Sequence, residues 1–216
     1  MIEFIQSIDD SIMLAANGSW GQIADTFMYV YSGRWVWVPL YFALLIMLMR
    51  RYGWRNAMGF LIVVVALIAV TDQTCATLIR PAVERLRPSN LDNPLSASIY
   101  IVNGYRGGAY GFPSCHAANT LALATFFVWL TRSNRLGITL FIWAGINCYS
   151  RLYLGVHYPT DLLVGGLIGA GYGTLAYWAL RWYVNMPDIR GNRFTTMPLC
   201  FFLATVAGIL LYAVIW

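Results

Sequence analysis

Residues 150–161 read Ser150-Arg151-Leu152-Tyr153-Leu154-Gly155-Val156-His157-Tyr158-Pro159-Thr160-Asp161, placing an arginine, a histidine and an aspartate between two apolar runs. His157 and Asp161 are four residues apart, so on a helical turn they share one face. Arg151 lies six residues before His157. An imidazole with a carboxylate behind it and a guanidinium beside it is equipped to attack an anionic phosphorus centre.

Outward from this stretch the chain is strongly apolar. Of 216 residues, 59% are hydrophobic and 11% charged, with a mean hydropathy of +0.61. A soluble domain carries about 25% charged residues, so the composition specifies an integral membrane protein. Nine Trp and fourteen Tyr suit rings anchored at lipid headgroups. All fourteen basic residues are Arg. They are dispersed among the loops with no basic run, so the net charge of +5 does not point to nucleic acid. Cys75, Cys115, Cys148 and Cys200 form no CxxC pair, which gives no support to a metal or redox motif. They read as small buried apolar residues, with a bridge between Cys115 and Cys148 left open. The N-terminus has no basic region before an apolar core, so no cleavable signal peptide is expected.

The expected architecture is all-α: one domain over residues 1–216, an integral membrane bundle of six transmembrane helices with an N-terminal interfacial helix. The spacing of Ile2, Phe4, Ile5, Ile8, Ile12 and Met13 predicts a short amphipathic helix over 1–16, within an interfacial segment that reaches about residue 30. The spans are predicted at 35–49, 57–79, 117–131, 136–148, 162–180 and 198–216. Asp72 falls inside the second, where an acid is a functional candidate. A structural hydrogen bond to a neighbouring helix, or a place near the membrane surface, is the favoured alternative. Residues 80–115 form a long polar insertion, rich in Gly and Tyr, that suits a lid or substrate-facing loop. With six spans both termini share one side. Eight arginines (Arg50, Arg51, Arg55, Arg132, Arg135, Arg181, Arg190, Arg193) then face the polar stretches across the membrane, against six on the other side. The positive-inside rule puts the eight in the cytoplasm, and the polar stretches and both termini outside. Several spans have only about 15 uncharged residues, roughly 22 Å of helix against a core of about 30 Å, so the polar cluster is expected slightly below the outer surface.

Arg80 and Arg87 are seven residues apart, each followed by proline. On a helix that spacing points both one way, and two converging guanidiniums match a phosphate. Interfacial snorkelling is the alternative. Pro113-Ser114-Cys115-His116 precedes the third span. A helix N-terminus there offers free N–H groups to phosphate, Ser114 adds its hydroxyl, and His116 is placed to give a proton to a leaving oxygen. His157 would form a phosphohistidine, with Asp161 fixing its tautomer. Arginines and backbone dipoles can neutralise the transition state, so no metal or other cofactor is expected.

These three stretches resemble the three motifs of the type-2 phosphatidic acid phosphatase superfamily, in its membrane-embedded bacterial lipid phosphatase branch. The first motif, Lys-x6-Arg-Pro, reads here Arg80-x6-Arg87-Pro88; the second, Pro-Ser-Gly-His, reads Pro113-Ser114-Cys115-His116; the third, Ser-Arg-x5-His-x3-Asp, reads Ser150, Arg151, His157, Asp161 without a gap. The resemblance implies His157 as nucleophile, Asp161 as its partner, His116 as acid and then base, and Arg80, Arg87, Ser114, Cys115 and Arg151 around the phosphate. It implies an enzyme of the bacterial inner membrane that hydrolyses a phosphomonoester or diphosphate of a lipid headgroup. Undecaprenyl diphosphate and lipid A phosphates lead, with phosphatidylglycerol phosphate and phosphatidate behind. The alternatives are a phosphotransferase on the same scaffold and a non-catalytic lipid-phosphate binder or transporter. Two departures, Arg80 for Lys and Cys115 for Gly, bear on the fine geometry of the phosphate site.

Overall fold

The computed structural model describes residues 2–18, 20–183 and 194–216; Arg190 and Arg193, two of the arginines assigned to the cytoplasmic side, lie outside the described residues. Helix α1 (Ile2–Ala16) is followed by α2 (Gln22–Tyr31), and a 3-10 turn, Trp35–Trp37, runs into α3 (Val38–Tyr52). α4 (Trp54–Gln73) continues through a π-helical turn, Thr74–Ile79, into the short α5 (Arg80–Val83). The remaining long helices are α6 (Cys115–Thr131), α7 (Asn134–Tyr153), α8 (Pro159–Tyr183) and α9 (Thr196–Ile215).

Local chemistry sets the breaks. Gly53, at φ +80°, closes α3 and opens α4. Arg132, at φ 49°, ends α6, and one residue later the Ser133 hydroxyl accepts from Leu136 N–H at 3.2 Å to start α7. This turn fills the gap between the spans expected at 117–131 and 136–148. α7 runs through Arg151 to Tyr153, five residues past its expected end at 148, so Arg151 is delivered by a helix rather than by a loop. α1 carries its apolar residues outward: Phe4, Ile8 and Ile12 are exposed, while Asp9, Met13 and Asn17 face the protein. Asn17 fastens that end, donating to the carbonyls of Tyr100 and Tyr153 and accepting from Tyr100 N–H.

α6 lies at the centre, against α4, α7 and α8. Its contact with α8 is the most extensive between two helices among the described residues. Gly165, Gly169 and Gly173 recur every fourth residue along α8. A Cβ on each would collide with the backbone carbonyl of Ser114, Ala118 and Ala122 of α6 respectively. This small-residue face lets two backbones touch where side chains would hold them apart. Trp37, Leu40, Phe126, Leu136 and Trp143 fill the core away from the polar stretches. At that far end Arg51 is buried and donates to the Thr131 carbonyl at 2.8 Å, holding the C-terminus of α6.

The protein is all-α among the described residues and built for a membrane. Ile62, Val65, Leu163, Leu167 and Leu211 are each more than 60% exposed on the outer faces, a surface that only a lipid environment satisfies. Six helical intervals match the six predicted ones. By length and hydropathy, three of them (Trp54–Val83, α8 and α9) are long and apolar enough to cross a bilayer, and a fourth qualifies if α2 and Trp35–Tyr52, bent by 74°, count as one span. α6 has 17 residues, and α7 is diluted by Asn134, Arg135, Asn147 and Arg151.

Candidate active site

Arg80 lies on α5, and Glu84, at φ 50°, ends that helix in a left-handed turn. Arg87 is therefore not two turns along the same helix, as the seven-residue spacing suggested. It comes from an irregular segment held by Arg87 N–H to Ala109 C=O at 3.1 Å and Gly111 N–H to Arg85 C=O at 2.9 Å. Residues 84–114 are knitted to themselves: Asn93 donates to the Arg87 carbonyl and the Tyr158 hydroxyl, and Arg106 to the Ser89 carbonyl. The insertion, expected as a lid or substrate-facing loop, is a hydrogen-bonded scaffold for Arg87 that also brings Tyr105 to Arg151.

Ser114 caps α6, its hydroxyl accepting from Ala117 N–H at 3.4 Å. Its own N–H donates to the Asp161 carbonyl at 3.0 Å, which ties the second stretch to the third. Cys115 takes the first helical position with an ordinary negative φ, so no glycine is required there. The two departures from the family pattern meet: Arg80 Nη2 lies 3.0 Å from Cys115 Sγ and donates to the Pro113 carbonyl at 3.1 Å. All four cysteines are free thiols, so no bridge joins Cys115 to Cys148. Asp72 accepts from Asn119 Nδ2 at 3.0 Å, the interhelical bond favoured from the sequence.

His157 and Asp161 meet, though not as neighbours on one helical turn. Gly155, at φ +71°, turns the chain after α7, and its missing side chain leaves room for Ile99. His157 precedes α8, and Asp161 sits in the first turn of that helix. Asp161 Oδ2 accepts from Tyr158 N–H at 2.9 Å and lies 3.4 Å from His157 Nδ1. That separation is longer than a formed hydrogen bond, as is common before substrate tightens a site. On the other edge of the ring, Arg87 Nη1 is 3.0 Å from His157 Nε2 and donates to the Val156 carbonyl at 2.8 Å. Arginine only donates, so Nε2 is the unprotonated nitrogen and Nδ1 carries the proton. Burial, then Arg87, Arg151 and Arg80, holds His157 well below the ordinary imidazole range. The ring is a neutral base with its lone pair turned toward the arginines.

The arginines are the unusual feature. Burial, then Arg151 and Arg80, brings Arg87 down to about 10, so three like charges crowd one another. Arg80 Nε, Arg87 Nε and Arg151 Nε are all buried without a partner. Arg151 Nη2 donates to the Tyr105 hydroxyl at 3.0 Å. His116 is on the first turn of α6, within electrostatic range of Arg151 and His157. The candidate residues of the three stretches thus lie in one cluster, while Asp72 stands apart from it. Missed from the sequence were Tyr105, Arg85 and Asp9. Asp9's one signal was its place four residues after Ile5 and four before Met13, an acid at the edge of the apolar stripe of α1.

Arginines, histidines and a serine-capped helix in this arrangement correspond to a known family. A family model described as the PAP2 superfamily matches residues 56–185, more than half of the chain. The chain belongs to the PAP2 superfamily. Among PAP2 relatives, the lipid A 4'-phosphatase of Bacteroides thetaiotaomicron is 40% identical over 100% of this chain and 99% of its own length. The lipid A 4'-phosphatase of Porphyromonas gingivalis is 31% identical over 82% of this chain and 74% of its own. The PAP2-type phosphatidylglycerolphosphate phosphatase of Bacillus subtilis, known from a crystal structure, shares the fold with a TM-score of 0.59 at 22% identity, over 85% of this chain and 89% of that one. As a PAP2 member of this kind the chain is a membrane lipid phosphatase, a phosphoric-ester hydrolase.

Proposed function

We propose that the chain removes a phosphomonoester from lipid A at the 4' position, from the outer face of the bacterial inner membrane, through a phosphohistidine at His157. The observation that carries the reading is three arginines around one neutral imidazole, each with a buried Nε that has no partner, and one of them, Arg87, touching the ring. Such a cluster is destabilised by mutual repulsion and relieved by a phosphate that accepts from all three. The lipid is taken from the relative that matches over the full chain.

In this reading Arg80, Arg87 and Arg151, with the N-terminus of α6 at Ser114 and Cys115, hold the phosphate oxygens. His157 Nε2 attacks phosphorus; the P–N bond forms as the P–O bond to the sugar breaks, and His116 gives the leaving oxygen its proton. Asp161 stabilises the imidazolium. His116 then takes a proton from water, the water oxygen attacks phosphorus, the P–N bond breaks, and inorganic phosphate leaves. All six helical intervals cross the membrane, α1 lies in the interface, and both termini face outside with the site.

The test is phosphate release by detergent-purified protein in EDTA. The panel is lipid A, undecaprenyl diphosphate, phosphatidylglycerol phosphate and phosphatidate, with mass spectrometry locating the phosphate lost. Fastest release from the 4' position of lipid A without added metal is expected. Faster release from undecaprenyl diphosphate overturns the choice of lipid, and transfer to an added alcohol in place of water would make the protein a phosphotransferase. A pH prediction also follows. A histidine held below its usual range stays neutral as pH falls through about 6.5. So kcat/KM, corrected for the substrate's own ionisation, is expected to show no loss of nucleophile between pH 7.5 and 6. An acid limb centred near 6.5 would contradict the environment described for His157.

A further inference from the structure

We propose that Asp9 of α1 is a positioning residue for this reaction, acting through Arg85 on Asp161 and so on His157. The proposal rests on the phosphohistidine reading of the site. An aspartate on an interfacial helix is expected to face water. Asp9 is instead 1% exposed and fully engaged. Its Oδ2 accepts from Arg85 Nη2 at 2.7 Å and from the Thr160 hydroxyl, and its Oδ1 accepts from Thr160 N–H at 3.1 Å. Gln6 Oε1, one turn earlier, accepts from the same Arg85 nitrogen at 2.8 Å. Arg85 Nη1 donates to Asp161 Oδ1 at 3.1 Å and to the Thr160 hydroxyl at 2.7 Å. Its guanidinium lies 4.0 Å from the centre of the Tyr158 ring.

The two oxygens of Asp161 therefore have different tasks. Oδ1 is held by Arg85, and Oδ2 by Tyr158 N–H, facing His157 Nδ1. A guanidinium bound to Asp161 alone would draw off the negative charge that the imidazolium needs. Asp9 divides that guanidinium between two carboxylates, so Asp161 is oriented by Arg85 and keeps its strength as an acceptor. Asp9 also caps the first turn of α8 through Thr160 N–H, one residue from Asp161. The charged groups around His157 are Arg80 on α5, Arg85 and Arg87 in the insertion, His116 on α6, Arg151 on α7 and Asp161 on α8. Among the described acids outside that ring, Asp9 is the one paired to it, through Arg85.

The experiment compares Asp9→Asn, Asp9→Glu and the exposed control Glu3→Gln in the full chain, with thermal midpoints recorded. For Asp9→Asn, kcat is expected to fall about tenfold with KM within twofold, the low end of the loss when the hydrogen-bond partner of a functional histidine is itself removed. Asp9→Glu is expected to restore most of kcat, and Glu3→Gln to match the parent. With only two histidines in the chain, histidine-selective 15N labelling resolves the His157 Nδ1–H. Its proton resonance is expected to move upfield in Asp9→Asn, as Asp161 becomes a weaker acceptor. If Asp9→Asn does not fold, Asp9→Ser, which also removes the carboxylate that Arg85 holds, carries the same readouts. A kcat within twofold of the parent, or a loss with the Nδ1–H unmoved, overturns the proposal. A parent that releases phosphate from no lipid refutes the phosphatase reading instead, and the Nδ1–H shift still decides the role of Asp9.

Discussion

His157→Gln is expected to lower phosphate release by about 10^4-fold or more, the scale on which removing a covalent nucleophile acts, while the protein still folds. Glutamine is chosen because its amide oxygen reaches near the place of Nε2 and can accept from Arg87, which lies 3.0 Å from that nitrogen. It leaves the buried guanidinium a partner, so the loss reports chemistry rather than a collapsed site. Two measurements check it. Phosphate release in EDTA is compared at equal protein, and a radiolabelled phosphoenzyme, stable in base and labile in acid, is trapped from the parent and sought in the variant. Release above about 1% of the parent would remove His157 from the covalent step, and the site would then read as a lipid-phosphate binding cluster with another nucleophile.

Gly169→Leu carries the second large effect and acts far from any reacting atom. A Cβ at this position collides with the Ala118 carbonyl, so α8 has to move away from α6. That shift parts Asp161 at the head of α8 from Ser114 and His116 at the head of α6, which the Ser114 N–H to Asp161 C=O bond now joins. Misplacement by about 1 Å costs on the order of 10^2-fold in rate, and overpacking a tight contact costs about 1–3 kcal/mol in stability. Both losses are expected together, in turnover and in the thermal midpoint. Gly171→Leu is the control on the same helix, because a Cβ there meets nothing within 4 Å; its turnover is expected to match the parent. Equal behaviour of the two variants would mean that the α6–α8 contact does not set the site.

The chemistry of the site was legible because the family's three motifs are short. Arg80-x6-Arg87, Pro113 to His116 and Ser150 to Asp161 each keep their residues within a dozen positions, where chain geometry alone limits how far apart side chains lie. The helical intervals were legible for a related reason: apolar runs bounded by Arg, Gly, Pro and Ser are a local signal. Local reasoning failed where it assumed a regular helix. The seven-residue spacing of Arg80 and Arg87, and the four-residue spacing of His157 and Asp161, read as helix faces. In the structure a left-handed Glu84 interrupts the first, and α8 begins only at Pro159, between the two residues of the second, so the side chains meet by other routes.

By itself, then, the sequence determined the membrane class, the helical intervals and the three motif stretches that hold the candidate site residues, because hydropathy and motif spacing are properties of neighbouring residues. Tertiary structure alone decided how those residues meet. Only the packed bundle shows that the α8 glycines bring Ser114 onto Asp161, that Asp72 pairs with Asn119, and that Asp9, 152 residues from Asp161 along the chain, stands behind it through Arg85. Each is a contact between segments far apart in the chain, and its energy depends on backbones that approach closely only once the whole bundle has formed.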